Sequence, residues 1–297
     1  MLRHAYLILA HEQPSHLRRL CAALDAPGNQ CFAHFDASRG PCPSLPANAR
    51  VVPDPLDVNH GGFSLTSAML STLKYAQSLG EFDFFTFLSG RDYPLQSNKK
   101  IAGFLEQHAG QNFINFYRLD RGADYYHHLS QRYFVDTRAR FPNALQSTAR
   151  NLERVVRFGL PERKFPAGLS PYRGSAFFTL ANETTHYVLD YLGSPEGTQH
   201  LRFFRRSWGS DEMLFQSIIL NSPHAARCRF HSRDQGQTMA NENNASLHYI
   251  DWDLKRERPA VLDERDLEPM LESGFMFARK FDEIRSEKLL ASLDELR

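Results

Sequence analysis

Polar residues that could do chemistry stand where apolar runs begin or end. Gly209-Ser210-Asp211-Glu212 precedes the apolar positions Met213, Leu214, Phe215, Ile218 and Ile219. This pattern predicts a helix over 211–220 that Glu212 opens. A carboxylate at that position is either a capping acid or a group held ionised by free N–H donors and offered to a ligand. Asp211 caps the same helix, or orients Glu212 or a ligand. Three more apolar runs end in polar residues: 5–10 in His11, 31–35 in Asp36, and 82–88 in Ser89-Gly90-Arg91-Asp92. His11 lines a pocket or is satisfied by backbone. Gly90 permits close backbone approach to a ligand. Asp92 holds ligand hydroxyls or caps the Tyr93-Pro94 turn. Phe277-Ala278-Arg279-Lys280-Phe281 sets two cations beside a strand, either as surface charge or as an anion site.

The elements that must position these groups alternate. Strands are predicted over 5–10, 31–36, 82–88, 176–180 and 247–252. Helices are predicted over 14–24, 65–79 (capped by Ser64), 101–108, 185–192, 211–220 and 284–296. In the second helix Leu65, Ala68, Met69, Leu73 and Ala76 follow helical spacing. Alternation of this kind implies an α/β domain with a mostly parallel sheet flanked by helices, with ligands at the carboxyl ends of the strands. Residues 1–297 read as one domain. It carries a basic insertion or lobe at about 121–172. Between Gln131 and Gly174, nine Arg and Lys face three acids, a solvated face or a platform for an anionic or lipid-linked acceptor.

Length, charge and missing motifs exclude several classes. The chain has 297 residues, 42% hydrophobic and 23% charged, with a formal net charge of +1. That balance argues against a general nucleic-acid binder. No apolar run approaches the roughly 20 residues that cross a bilayer, and residues 5–10 are too few for a signal-peptide core, so a cytoplasmic location is expected. Four cysteines show no CxxC spacing. GxxxxGK[ST], GxGxxG, GxSxG and HExxH are all missing. Asp251-Trp252-Asp253 and the 120–124 segment are poor stand-ins for a metal-binding D-x-D.

In order, Leu9-Ala10-His11, His34-Phe35-Asp36, Gly61-Gly62-Phe63-Ser64, Ser89-Gly90-Arg91-Asp92-Tyr93-Pro94-Leu95, Arg173-Gly174-Ser175-Ala176-Phe177-Phe178, Gly209-Ser210-Asp211-Glu212, His248-Tyr249-Ile250-Asp251-Trp252 and Phe277-Ala278-Arg279-Lys280-Phe281 resemble the core-2/I-branching β-1,6-N-acetylglucosaminyltransferase family, to which peptide O-xylosyltransferases also belong. The resemblance runs from about Ala5 to Asp282 and is weakest over 121–172. It implies a GT-A-type fold, a UDP-sugar donor, inversion at the anomeric carbon and no divalent metal or other cofactor. By this resemblance Glu212 is the base that takes the acceptor proton. Asp36 contacts uridine, and His11, Gly90 and Asp92 share the donor pocket. Lys280 holds the diphosphate with Arg258, the match to Arg258 needing one deletion and Arg256 being the substitute. Tyr249 and Asp251 fall where acceptor contacts are expected, and Trp252 offers a sugar-stacking face; Arg205, just before the 209–212 segment, either meets an acidic acceptor or belongs to a solvated face. The family usually has Trp where His60 stands.

The resulting expectation is a soluble, bacterial-type glycosyltransferase, cytoplasmic or peripheral at an inner membrane. It moves GlcNAc or xylose to a glycan or lipid-linked glycan in polysaccharide or glycolipid biosynthesis. The alternatives are a non-catalytic nucleotide-sugar or glycan-binding protein on the same fold, and a metal-dependent transferase.

Overall fold

The computed structural model describes residues 1–228, 246–253, 255–257 and 259–297. Ten strands are present among them: β1 (His4–Ala10), β2 (Asn29–Phe35), β3 (Ala49–Val51), β4 (Phe84–Ser89), β5 (Asp92–Pro94), β6 (Tyr117–Arg118), β7 (Tyr172–Arg173), β8 (Thr179–Ala181), β9 (His248–Ile250) and β10 (Phe277–Arg279). The central sheet runs β3-β2-β1-β4-β8. The β1–β2, β2–β3 and β1–β4 pairings are parallel, whereas β8 runs antiparallel to β4. The sheet is therefore mixed, with a parallel majority and one reversed edge strand. Residues 176–178 precede that strand instead of belonging to it.

Alternation along the strands explains the layers. Tyr6, Ile8 and Ala10 of β1 face one core, and Ala5 and Leu7 face the other. Phe84 and Leu88 of β4 join the first core, Phe85 and Phe87 the second. The first core is covered by α1 (Pro14–Ala23), α3 (Asn98–Gln107), α10 (Leu267–Glu272) and α11 (Glu287–Leu296). The second is covered by α2 (Phe63–Leu79), α7 (Asn182–Gly193), α8 (Pro195–Phe204) and α9 (Leu214–Leu220). Phe87 meets Phe178 at 5.0 Å and Phe215 at 5.5 Å between ring centres, so part of the abundant Phe builds this core. Among the described residues no helix is long and apolar enough to cross a membrane.

Short β6 and β7 pair antiparallel and close off the stretch between them. That stretch holds α4 (His127–Ser130), α5 (Val135–Arg138) and α6 (Asn143–Gly159). A second sheet, β5-β10-β9, lies beside the carboxyl end of β4. Helices α3 and α7 each start three residues before the predicted 101 and 185, and three further differences have a visible cause. Gly62 is the N-cap of α2; Ser64 lies inside its first turn and donates its hydroxyl to Asp136 at 2.6 Å. The last helix starts at Glu287, because Asp282 accepts the Ile284 and Arg285 amides and turns the chain there. The predicted helix over 211–220 is two pieces: a 3-10 turn over Ser210–Glu212 and α9, separated by Met213 at φ −131°.

Candidate functional site

Parallel β1, β2 and β4 deliver His11, Asp36 and Ser89-Gly90 to one rim of the sheet. The Asp36 amide donates to the Ala10 carbonyl at 2.8 Å and the Gly90 amide to Leu9 at 2.8 Å, which ties the three strand ends together. His11 is exposed, with Nε2 3.6 Å from Glu12. Asp36 is buried. Its Oδ1 accepts from the Ser38 amide (2.9 Å), the Ser38 hydroxyl (2.8 Å) and the Val58 amide (3.3 Å), so the chain itself fixes this carboxylate.

Two expectations at this rim change. Gly90 is required by the fold: a Cβ there would lie 2.6 Å from the Ala10 Cβ, so the close approach it allows is strand to strand. Asp92 has no exposed surface and cannot reach sugar hydroxyls. It accepts from the Ser89 amide and hydroxyl at 2.9 and 2.5 Å, and stands 3.4 Å from Arg279 Nε and 3.5 Å from His248 Nε2. Burial alone would raise its pKa; Arg279, His248 and Ser89 outweigh burial and hold it below the ordinary carboxylate range. Asp92 thus acts on its cationic neighbour. Arg279 in turn lies over the Phe177 ring at 3.9 Å.

Lys280 follows Arg279 and is half-buried. Burial, Arg91 and Arg279 lower its pKa, against the opposing pull of Glu257 and Glu12. Arg91 is engaged by Glu12, Asp282 and the Phe281 carbonyl. Among the described residues the Lys280 ammonium has no ion-pair partner within 4.0 Å, and it sits in a positive neighbourhood that favours an anion. Arg258 lies outside the described residues. Its substitute Arg256 is fully occupied: its guanidinium binds Asp251 at 2.7 Å, Asp266 at 2.7 and 3.1 Å and the Val261 carbonyl at 2.5 Å. That geometry makes Arg256 and Asp251 a structural clasp, and Asp251 also accepts the Asp253 amide at 2.8 Å. Neither is presented to a ligand, which corrects the expectations for both. Tyr249 is half-buried with its ring 6.4 Å from Phe275, and Trp252 carries a buried indole N–H with no partner among the described residues. Arg205 is exposed over the Phe63 ring at 5.0 Å.

Glu212 sits in the 3-10 turn, entered through Gly209 in the left-handed conformation (φ +63°). Its amide donates to the Gly209 carbonyl at 3.1 Å, and its own carbonyl accepts the Gly174 amide at 2.8 Å. About a third of the side chain is exposed (35%), so the carboxylate is both anchored and reachable. Free helix N–H groups do not hold it ionised, contrary to the sequence reading. Burial raises its pKa, and Arg173, His60 and Arg279 only partly offset this. Asp211 beside it is buried and is pushed up to about 7 by burial and by Glu212.

Arg173 is the partner that spacing did not reveal. Its Nη2 donates to Glu212 Oε2, its Nη1 to His128 Nδ1 at 2.8 Å, and its plane lies 4.4 Å from the Tyr125 ring centre. Burial and Arg173 lower His128 to about 3, so the imidazole is neutral and accepts the guanidinium proton. Trp208 closes the other side: its ring is 5.9 Å from His60 and 6.0 Å from His128, and its amide donates to the His128 carbonyl at 3.1 Å. The only signals in the sequence were the Arg173-Gly174-Ser175 block itself and a tryptophan just before Gly209. Among the described residues no group of three or more His, Cys, Asp or Glu is placed to hold a metal ion.

A family model described as Core-2/I-Branching enzyme matches residues 4–271. Xylosyltransferase 1 of Homo sapiens is 23% identical over 270 residues, 84% of this chain and 24% of that protein. Xylosyltransferase 2 of Mus musculus is 26% identical over 261 residues, 83% of this chain and 27% of that protein. The figures for xylosyltransferase 2 of Rattus norvegicus are 24% over 316 residues, 99% and 33%. The chain spans a quarter to a third of the length of these curated relatives.

Proposed function

This chain belongs to the Core-2/I-branching enzyme family, and on that premise we propose that it is an inverting glycosyltransferase of GT-A type that uses a UDP-sugar and needs no metal. The observation that carries the reading is Glu212: a carboxylate with raised pKa, one-third exposed, fixed by Arg173. In the transfer, the acceptor hydroxyl oxygen attacks the anomeric carbon and its proton passes to the Glu212 carboxylate. The anomeric C–O bond to the diphosphate breaks and its electrons leave with UDP. Lys280, lacking an ion-pair partner among the described residues, meets the growing charge on the diphosphate. Arg279, held by Asp92, adds to the positive field around it.

His11 and Asp36 stand at the strand ends where the nucleoside binds. Tyr249, Trp252 and Arg205 remain candidates on the acceptor side. The names of the relatives favour xylose as donor sugar over GlcNAc. The acceptor is a hydroxyl of a glycan or lipid-linked glycan, which places the reaction in polysaccharide or glycolipid assembly.

Glu212→Gln keeps size and loses basicity. It is expected to lower kcat by about 10²- to 10⁴-fold while UDP affinity, read by calorimetry, stays within a factor of about three. Full activity in this variant would remove Glu212 as base. UDP binding without turnover in the unaltered chain, with every donor and acceptor offered, would mark a binding protein instead. Loss of all activity in EDTA would restore a metal to the mechanism.

A further inference from the structure

Helix α6 lies on the body of the protein with the unexpected face inward. Glu153, 8% exposed, accepts the Phe134 amide at 2.9 Å and pairs with Arg138. Arg157 covers the Tyr133 ring at 4.7 Å. The apolar positions point away from the body: Val155 is 69% exposed, Phe158 66% and Leu152 63%. Between α5 and α6 runs an apolar groove of about 370 Å³, lined by Phe134, Phe141, Leu145, Leu152 and Val156 among others. A contiguous apolar surface of this kind on a globular chain marks a place where something docks.

Charge says what docks there. Arg140, Arg150, Arg154 and Lys164 are exposed in the same segment and form no ion pair among the described residues. The acids of the segment are already matched, Asp136 by Ser64 and Asn59, Glu153 by Arg138 and Glu162 by Arg121. Apolar side chains flanked by unmatched arginines fit an interface that is oily inside and anionic outside. A second copy of the chain fits poorly, because two such faces would bring like charges together.

We propose that the outer face of α6, with the groove it shares with α5, docks in the plane of an anionic phospholipid bilayer. Phe158, Val155 and Leu152 enter the headgroup boundary. Arg150 and Arg154 extend along the surface to the phosphates. The inner face of the helix is linked to the carboxylate site through a relay of side chains: Arg157 covers Tyr133, whose ring is 6.0 Å from His128, and His128 accepts from Arg173.

The test is co-sedimentation of the full chain with vesicles of phosphatidylcholine alone and of phosphatidylcholine containing one-third phosphatidylglycerol, across a salt series. No donor or acceptor is present, so the result is separate from the transfer reaction. The chain is expected on anionic vesicles only, released by salt. Arg150→Gln and Arg154→Gln are expected to weaken partitioning about fivefold each. Val155→Ser with Phe158→Ser is expected to weaken it about tenfold or more with an unchanged melting temperature. No binding to anionic vesicles, equal binding to neutral ones, or binding indifferent to both pairs of variants would overturn the proposal. So would light scattering showing a dimer that Val155→Ser with Phe158→Ser dissolves, which would assign the face to a second copy.

Discussion

Helices α2 and α6 are each seventeen residues long and each carries an apolar stripe, yet they use it in opposite ways. In α2, Ala68, Met69, Leu73 and Ala76 have no exposed surface and pack against the central sheet. In α6, Glu153 and Arg157 make the inward contacts and the stripe faces out. Amphipathicity thus says that a helix has two faces, and the partners supplied by the rest of the chain decide which one is buried. For α2 the partner is the apolar surface of β1, β2 and β4; for α6 it is the Phe134 amide and the Arg138 guanidinium, which meet Glu153, and the Tyr133 ring, which meets Arg157.

The largest expected effect lies on α2. Leu73→Ala should cost about 2–5 kcal/mol in denaturant unfolding, the range for a cavity in a closed core. A cost as small as that of a surface change would erase the contrast. Glu153→Ala should come next, at about 2–3 kcal/mol, because it strands Arg138 and the Phe134 amide without their acceptor. If instead it is neutral, α6 is held by something other than its polar face.

A third effect sits where α2 braces the carboxylate turn through Thr66, whose hydroxyl meets Ser210 at 2.6 Å. Asp211 is pushed up to about 7, above its ordinary unfolded value, so the folded chain holds an extra proton in between. The stability it contributes is complete below pH 4 and is lost as pH rises to about 7. Asp211→Asn should therefore melt a few degrees above the unaltered chain near pH 8 and with it near pH 4. Parallel pH curves for the two would remove the proton from Asp211. The smallest effect is on the outer stripe. Val155→Ser should change unfolding free energy by less than about 0.5 kcal/mol, and a core-sized loss would mean that α6 buries this face.

The same contrast shows what a sequence can and cannot reveal. The stripe of α2 was legible because it meets strands that are themselves apolar on both sides. The stripe of α6 has the same period, and no local signal says that a charged face will be turned inward. The strand ends at His11, Asp36 and Ser89 were legible as polar punctuation after apolar runs. Their roles were not: Asp92 is buried because β5 turns back onto β10, and Gly90 meets Ala10 across the sheet. Arg173 and Glu212 are 39 positions apart and meet only because β7 lies against the 3-10 turn. The clasp of Arg256 on Asp251, Asp263 and Asp266 likewise depends on a loop that no periodicity describes.

Gly61 faces the Trp208 ring so closely that a Cβ there would fall 2.6 Å from its atoms, and its φ of +74° already favours glycine. Gly209, next to that tryptophan, donates its amide to the Gly61 carbonyl at 3.0 Å. In evolutionary terms these positions are expected to change together. Any descendant that acquires a side chain at 61 must also shrink the ring at 208, or lose the turn that carries Glu212.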